Sequence, residues 1–452
     1  MQATDERGQW GSKVGFILAA AGSAVGLGNI WRFPYITGEN GGAAFVFLYL
    51  LCVILIGLPL LINELALGRA SGKNPVGAFQ KTLPGTPFVI TGVLCVILCF
   101  VVLSYYSVIA GWTLGYMISS LMGKELVFSD FVASPQYILP LLAGFLALTA
   151  FIVQAGVQKG IERAAKILMP LLLVFVLIII VRSLTLPGAM AGVSYYLKPD
   201  FSKINGQVAL QALGQAFFSL SVGWGLMITY GSYMPKSQNM VTGGVWVAFT
   251  DTFVAILGGF MVFPAVFAFN MEPNAGPALT FQTLPAVFER MPAGGLIATI
   301  FFLLLAVAAL TSSISMLEVP VSYLLDEKKA SRSHAAWIVS GVAFLVGIPS
   351  ALSAGGAKFF TEMELFGKTG FMDIVDFAFG TVLVVVISLL CSVYVGWVWK
   401  PENAVKEIAQ GAPGFDKADG FSLGKVWTFF VKFICPVVIG YVMFRTFFPA
   451  EG

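Results

Sequence analysis

The chain is poor in charge and in the residues that most enzymes use. Charged residues make up 11 % of its 452 positions, and the single histidine, His334, lies beside basic loop residues. With one histidine, the sequence shows no sign of a Ser-His-Asp triad and excludes a metal site built from several histidines. A fragment of a phosphate-binding loop, Gly367-Lys368-Thr369, has Glu362 where the motif requires its first glycine. We therefore expect neither an enzyme nor a protein that uses ATP directly.

Cysteine usage and net charge exclude two further classes. The five cysteines lie within apolar runs and lack the spacing of a zinc site, which favours buried free thiols over a disulfide framework. They are Cys52, Cys95, Cys99, Cys391 and Cys435. The formal net charge is only +3 and the basic residues are scattered. No nucleic-acid partner is expected.

Apolar residues, by contrast, are abundant. They make up 58 % of the chain, its mean hydropathy is +0.88, and they fall in runs of roughly 20 or more, the length that a helix needs to cross a bilayer. We therefore expect an all-α integral membrane protein whose first partner is the lipid bilayer. Eleven transmembrane helices, called segments 1 to 11, are predicted roughly at 14 to 36, 43 to 68, 88 to 120, 137 to 155, 165 to 182, 208 to 232, 242 to 269, 293 to 324, 335 to 352, 371 to 399 and 425 to 448.

The loops between these segments predict an orientation. Lys and Arg are about twice as frequent on the side that holds the N-terminus as on the other side. The positive-inside rule therefore places the N-terminus in the cytoplasm and the C-terminus outside a multi-pass protein of the plasma membrane. The polar stretch at 401 to 424 is expected to be a cytoplasmic loop that carries one short surface helix.

Segments 1 and 6 each contain a cluster of glycines. Segment 1 has Gly22, Gly26 and Gly28 within seven residues, and segment 6 shares its Val-Gly-x-Gly sequence at 222 to 225. Glycine weakens a helix, so both helices are predicted to break at mid-membrane depth. Paired broken helices point to a secondary transporter built from two repeats. The alternative is that these glycines only allow helices to pack closely.

A few polar side chains fall inside the apolar segments. Asp251, in segment 7, is predicted to be a cation ligand, although it could instead pair with a donor on a neighbouring helix. Thr311 and Ser312, in segment 8, could ligate a small cation or merely bond back to carbonyls one turn earlier. For Glu318 and Asp373 we expect structural pairing or snorkelling to the interface.

The motifs around the first break resemble those of the neurotransmitter:sodium symporter family. They are Gly26-Leu27-Gly28-Asn29-Ile30-Trp31-Arg32-Phe33-Pro34-Tyr35, then Glu39-Asn40-Gly41-Gly42 and Gly57-Leu58-Pro59 with Glu64 and Gly68-Arg69. The resemblance continues through Ser104-Tyr105-Tyr106, Gly111-Trp112, Thr311-Ser312-Ser313 and 373 to 377, and covers nearly the whole chain. It implies one polytopic domain of two inverted five-helix repeats, at about 14–182 and 208–399, with an eleventh helix at about 425–448.

The resemblance also implies two sodium sites and sodium-driven alternating access. The first sodium would be held by Ala24, Asn29, Ser219, Asp251 and the substrate carboxylate. The second would be held by Gly22, Val25, Ala308, Thr311 and Ser312. These ligands are oxygens, as a hard cation requires. Asp251 replaces the family's usual asparagine, so no chloride is expected. On the empty return step Asp251 could take up a proton, and proton antiport would follow.

The implied substrate is a hydrophobic L-amino acid. The family's monoamine carriers have an aspartate where this chain has Gly26, so here the substrate must bring its own carboxylate. That carboxylate would meet the backbone of Leu27 and Gly28 and the hydroxyl of Tyr106. The complete substrate set is Ala24, Gly26, Leu27, Gly28, Val102, Tyr106, Phe218, Ser219, Ser221, Trp224, Ser312 and Met316.

The same resemblance implies that each end of the transport path is gated by a salt bridge, which forms and breaks during the transport cycle. Arg32 with Asp376 would close the outside, and Arg7 with Asp326, flanked by Trp10 and Tyr233, the inside. Gly160 and Pro170 in segment 5 predict local unwinding that lets water reach the second sodium, or else a static kink. The missing twelfth helix leaves the oligomeric state open, a monomer included. The alternative function is an ion channel or an amino-acid sensor on the same scaffold.

Overall fold

The helices follow the predicted segments closely. The computed structural model describes residues 8–269, 281–282, 284–289, 291–416 and 422–448; Arg7 lies outside them. Unbroken helices form segments 2 (Ala43–Ser71), 3 (Val89–Leu121), 4 (Pro135–Gln154), 5 (Val157–Leu184), 7 (Met240–Ala268), 8 (Gly294–Lys328), 9 (Arg332–Leu352), 10 (Phe371–Val398) and 11 (Leu423–Phe447). Segment 5 begins eight residues before its predicted start, with a π-helical turn at Val157–Glu162.

Segments 1 and 6 are broken, as their glycines predict. Segment 1 consists of Lys13–Ala24 (half 1a) and Gly28–Glu39 (half 1b), which meet at an angle of 55°. Segment 6 consists of Gly206–Ser219 (half 6a) and Leu226–Gly231 (half 6b). Both breaks stand in the first helix of a set of five, which agrees with two inverted repeats.

By length and composition, nine of the described helices can cross a membrane, or ten if the two halves of segment 1 form one span. The predicted count of eleven is not reached in this way. The halves of segment 6 contain only 14 and 6 residues, so neither is long enough alone.

Glycines let segment 2 lie directly against half 6b. A Cβ atom at Gly68 would lie 2.0 Å from the carbonyl oxygen of Ile228, and one at Gly231 would lie 2.5 Å from that of Leu65. Any side chain at either position would force the two helices apart. The carboxylate of Glu64 accepts a 2.6 Å hydrogen bond from the backbone N–H of Gly223, so segment 2 also supports the break itself.

The connections carry short helices and one hairpin. The helices are Pro75–Thr82, Phe128–Val132, Ala189–Leu197, Leu284–Glu289, Lys358–Thr361 and Pro401–Ala409, with a 3₁₀ turn at Phe201–Lys203. Strands Glu364–Leu365 and Lys368–Thr369 pair antiparallel, with Glu364 opposite Thr369.

The surface helix expected between segments 10 and 11 is present and is tied to the bundle. It is the helix Pro401–Ala409. Its Glu407 forms ion pairs of 2.8 Å with the fully buried Arg69 of segment 2 and 2.7 Å with Lys236, which follows segment 6.

Candidate functional site

The two helix breaks face one cavity of about 440 Å³. Every residue of the predicted substrate set except Ser219 lines it: Ala24, Gly26, Leu27, Gly28, Val102, Tyr106, Phe218, Ser221, Trp224, Ser312 and Met316. Ser219 lies just behind this wall, at the end of half 6a, where it is fully buried.

The backbone of the segment 1 break has no room for side chains. A Cβ atom at Gly26 would lie 2.6 Å from the hydroxyl of Ser312, and one at Gly28 would lie 2.6 Å from the ring of Phe218. The N–H of Leu27 donates a 3.2 Å hydrogen bond to the hydroxyl of Tyr106. The break therefore brings backbone N–H groups and one phenol together at one side of the cavity.

The two breaks are joined by a hydrogen bond. The hydroxyl of Ser221 donates to the carbonyl oxygen of Ser23 over 3.2 Å. Ser221 itself has a φ of 53°, in the left-handed region that non-glycine residues seldom adopt. This backbone turn lets half 6a end and exposes its last groups to the cavity.

Asp251 stands at the centre of a buried polar cluster behind the cavity. One of its carboxylate oxygens accepts a 2.7 Å hydrogen bond from the Asn29 amide, and the other accepts one of 2.7 Å from the Ser219 hydroxyl. The Tyr49 hydroxyl donates to Ser219 over 3.2 Å. All four residues are completely buried, and no ion pair within the described ranges includes Asp251. An ionised carboxylate here has no cationic side chain to balance it.

Segment 8 brings its two hydroxyls to the other side of the segment 1 break. The Thr311 hydroxyl lies 2.9 Å from the Ala308 carbonyl oxygen in its own helix and 3.4 Å from that of Val25. The Ser312 hydroxyl donates to the Ser23 carbonyl over 3.2 Å. The Thr311 hydroxyl is thus close both to a carbonyl of its own helix and to a carbonyl of the segment 1 break. Gly22 faces the same side chain, because a Cβ atom there would lie 3.3 Å from the Thr311 Cβ.

The donor sets of the two clusters suit a small hard cation. Among the described residues, no group of three or more His, Cys, Asp or Glu side chains could hold a metal ion. The clusters instead combine carbonyl, hydroxyl and amide oxygens with the single carboxylate of Asp251. Such ligands fit sodium better than a transition metal.

The cavity is open at the end that carries Arg32 and Asp376. The Asp376 carboxylate accepts a 2.8 Å hydrogen bond from Tyr105, while the Arg32 guanidinium lies 4.6 Å from the centre of the Phe218 ring. The two predicted gate residues form no ion pair with each other in this conformation. Beyond them the cavity continues to Asp373 and Thr381.

The opposite end is closed. The Trp10 indole donates to the Tyr230 carbonyl oxygen over 2.9 Å and packs edge-on against the Tyr233 ring. The predicted gate residue Asp326 accepts hydrogen bonds of 2.7 and 3.0 Å from Asn74. Its predicted partner, Arg7, lies outside the described residues.

A buried ion pair at this closed end was missing from the predicted gate. Glu318, for which structural pairing is expected, accepts a 2.5 Å hydrogen bond from the Tyr233 hydroxyl and a 2.7 Å bond from Arg332. Its pairing is confirmed, and its contact with Tyr233 makes it part of the closure. The signal in the sequence is opposite charges near the adjoining ends of segments 8 and 9.

The unwinding predicted for segment 5 is not seen in this conformation and stays a prediction. Pro170 lies inside a continuous helix, Arg163–Leu184. Gly160 lies in the π-helical turn, where a Cβ atom would come 2.1 Å from the carbonyl oxygen of Ile152. The glycine therefore allows the ends of segments 4 and 5 to touch.

Comparisons with known proteins agree with this architecture. A family model described as the sodium:neurotransmitter symporter family matches residues 7–137 and 127–450. The uncharacterized sodium-dependent transporter YhdH of Bacillus subtilis is 40 % identical, over 95 % of this chain and 96 % of that protein. An uncharacterized sodium-dependent transporter of Haemophilus influenzae is 39 % identical, over 96 % and 97 %.

A solved structure is similar over the same length. The crystal structure of MhsT in complex with L-phenylalanine has 42 % sequence identity and a TM-score of 0.88, and the match covers 97 % of this chain and 100 % of that one. Sequence and structure thus agree over nearly the whole chain. The protein is a multi-pass membrane transporter, not an enzyme, and belongs to the sodium:neurotransmitter symporter family.

Proposed function

We propose that this protein imports hydrophobic L-amino acids together with sodium. The single observation that carries the proposal is the lining of the cavity. One side presents the backbone of Leu27 and Gly28 and the Tyr106 hydroxyl, and the rest is mostly apolar and aromatic. A carboxylate fits the first surface, and a hydrophobic side chain fits the second.

Gly26 determines which charge the substrate carries. A side chain at this position would collide with Ser312 and Tyr106, so the break offers no carboxylate of its own to an amine. A substrate with its own carboxylate supplies the missing negative charge next to Ala24 and Asn29. MhsT, which was solved with L-phenylalanine, supports an amino acid as the substrate class.

Sodium binding at two sites would couple the gradient to transport. The first site would use Ala24, Asn29, Ser219 and Asp251, and the second Gly22, Val25, Ala308, Thr311 and Ser312. The Asp251 carboxylate would balance the first cation, so that transport proceeds without chloride. After the cation leaves, a proton on Asp251 would remove the uncompensated buried charge, which supports proton antiport.

The open and closed ends support alternating access from outside to inside. If the N-terminus lies on the cytoplasmic side of the cell membrane, the cavity faces outward. The contacts of Trp10, Tyr233 and Glu318 then close the inner side. Closure of the outer side would bring Arg32 to Asp376. A monomer contains all the residues of this cycle, and we propose no partner beyond substrate and lipid.

Uptake by the purified protein in proteoliposomes tests the function. An inward sodium gradient should concentrate labelled Phe, Leu or Val inside the vesicles, and replacing external sodium with choline should abolish the accumulation. Unlabelled substrate inside should accelerate entry of the label by counterflow. Uptake that only equilibrates, or binding without uptake, would instead support a channel or a sensor.

A further inference from the structure

Lys432 is an unusual residue in segment 11, because it is a cation on a membrane helix with no acidic partner. Its ammonium group takes part in no hydrogen bond or ion pair within the described part of the chain. It lies instead 4.8 Å from the ring centre of Trp397 and 5.6 Å from that of Phe433. These rings attract the cation through their π-faces but leave its charge unneutralised.

The Lys432 side chain lies in a crevice between segments 10 and 11. A Cβ atom at Gly396 would lie 3.1 Å from the Lys432 Cα, so the two helices touch here. The Trp397 indole donates a 3.0 Å hydrogen bond to the Lys432 carbonyl, and the Ser392 hydroxyl donates a 2.9 Å bond to that of Val431. Both helices are π-helical at this level, at Tyr394–Val398 and Phe430–Ile434. These contacts fix the backbone of Lys432 against segment 10, so that its side chain leaves the helix beside the ring of Trp397.

The crevice opens on the outer surface of the bundle near the end of segment 10. Trp397 is 54 % exposed and Phe433 is 44 % exposed on the outer surface of the bundle. Segment 10 ends at Val398, one residue beyond Trp397, whereas Lys432 is the tenth residue of segment 11, so its ammonium group would reach the headgroups along its flexible stem. By the positive-inside rule these headgroups are on the cytoplasmic side.

The neighbouring charges also favour an anion. Lys425 lies two turns before Lys432 and is exposed, and the exposed Lys400 follows segment 10 directly. Among the described acidic residues between segments 10 and 11, Glu402 and Asp416 are exposed and Glu407 is engaged by Arg69 and Lys236, and none of them forms an ion pair with Lys432. Basic pockets between membrane helices on the cytoplasmic side bind anionic lipid headgroups.

We propose that Lys432, which lies against the Trp397 ring, binds the phosphate of an anionic phospholipid in the crevice between segments 10 and 11. The phosphate neutralises the ammonium group, and the acyl chains lie against Phe433 and the apolar surface beyond it. The bound lipid fastens segment 11 to segment 10. This site is separate from the central cavity and does not depend on the identity of the transported substrate.

The test compares lipid retention and lipid stabilisation among matched variants. Delipidated protein in detergent is titrated with phosphatidylglycerol or with phosphatidylcholine of the same acyl chains. Bound lipid is counted by native mass spectrometry, and the Tm is followed in parallel. We expect phosphatidylglycerol to bind more tightly and to raise the Tm. Lys432→Gln should lower its affinity about fivefold, the effect of roughly one lysine at an anionic surface.

Two further variants make the result decisive. Lys432→Arg keeps the charge and should retain phosphatidylglycerol, whereas Lys124→Gln, at an exposed lysine on the opposite side of the membrane, should leave it unchanged. Equal binding of phosphatidylglycerol by the wild type and Lys432→Gln would overturn the proposal. So would equal stabilisation by soluble glycerol phosphate, or a second copy of the chain found in place of lipid.

Discussion

Arg332 binds Glu318 through a salt bridge of 2.7 Å that joins segment 9 to segment 8 at the closed end of the cavity. The side chain of Glu318 is fully buried and that of Arg332 is 10 % exposed. Tyr233, which follows half 6b, donates to the same carboxylate. One acidic group thus holds three parts of the closed end together.

Removing that carboxylate should open the inner end. Glu318→Ala leaves the Arg332 charge without its partner, which costs about 3–5 kcal/mol when a buried pair is broken. We expect a lower Tm and faster labelling of a cysteine placed at Thr229, from the cytoplasmic side. Lys166→Ala is the control, because its ion pair with Glu162 involves a lysine that is 45 % exposed and should cost less than about 1 kcal/mol. Unchanged labelling in Glu318→Ala would contradict a gating role.

The hydroxyls of segment 8 are expected to bind the second sodium. Thr311→Val combined with Ser312→Ala removes two oxygen ligands, each a contribution of about 1 kcal/mol. The sodium concentration for half-maximal uptake should therefore rise roughly tenfold or more. Ser313→Ala is the matched control, since the buried Ser313 hydroxyl has no hydrogen-bond partner within the described structure. A double variant with the sodium dependence of the wild type would refute the ligand role.

Asp251 should make uptake independent of chloride. Sodium-driven uptake by the wild type should be the same in chloride and in gluconate, because the carboxylate would balance the first cation. Asp251→Asn removes the charge and keeps the shape, so this variant should gain a chloride requirement. Asp373→Asn, which changes an acid at the open end of the cavity, should not. Wild-type uptake that collapses in gluconate would rule out the proposed role.

Met316 should determine how large a substrate side chain fits. It lines the cavity with Trp224, and its thioether can adapt to ligands of different shape. Met316→Phe fills that space, and overpacking costs about 1–3 kcal/mol. We expect uptake of Trp and Phe to fall roughly tenfold while uptake of Val falls less. Equal losses for Trp, Leu and Val would place Met316 away from the substrate side chain.

Hydropathy and glycine content predicted the fold well because a bilayer imposes helices of fixed length. Segment 3, predicted at 88 to 120, is helical over Val89–Leu121. Segment 5 began too late in the prediction, since Gln158, Lys159 and Glu162 lower the hydropathy of a turn that is still helical.

The site residues that sequence reasoning missed depend on contacts between distant helices. Tyr105 holds Asp376, and Arg332 holds Glu318, only because three-dimensional packing brings these groups together. Spacing along one helix cannot reveal such partners. Ser219 is predicted both for the substrate set and for the first sodium site, and its hydroxyl donates to Asp251 and accepts from Tyr49 behind the cavity wall. Both roles stay predictions.

The backbone contact between segment 2 and half 6b limits how the transporter can move. Gly68 and Gly231 bring the two helices so close that sliding one past the other would drive Cα atoms into carbonyl oxygens. We therefore expect segment 2 and half 6b to move together. Any change in the angle between the two halves of segment 6 then falls on 220 to 225, where Gly223 and Gly225 already adopt positive φ. The contact between segment 2 and half 6b thus places the hinge of segment 6 at 220 to 225.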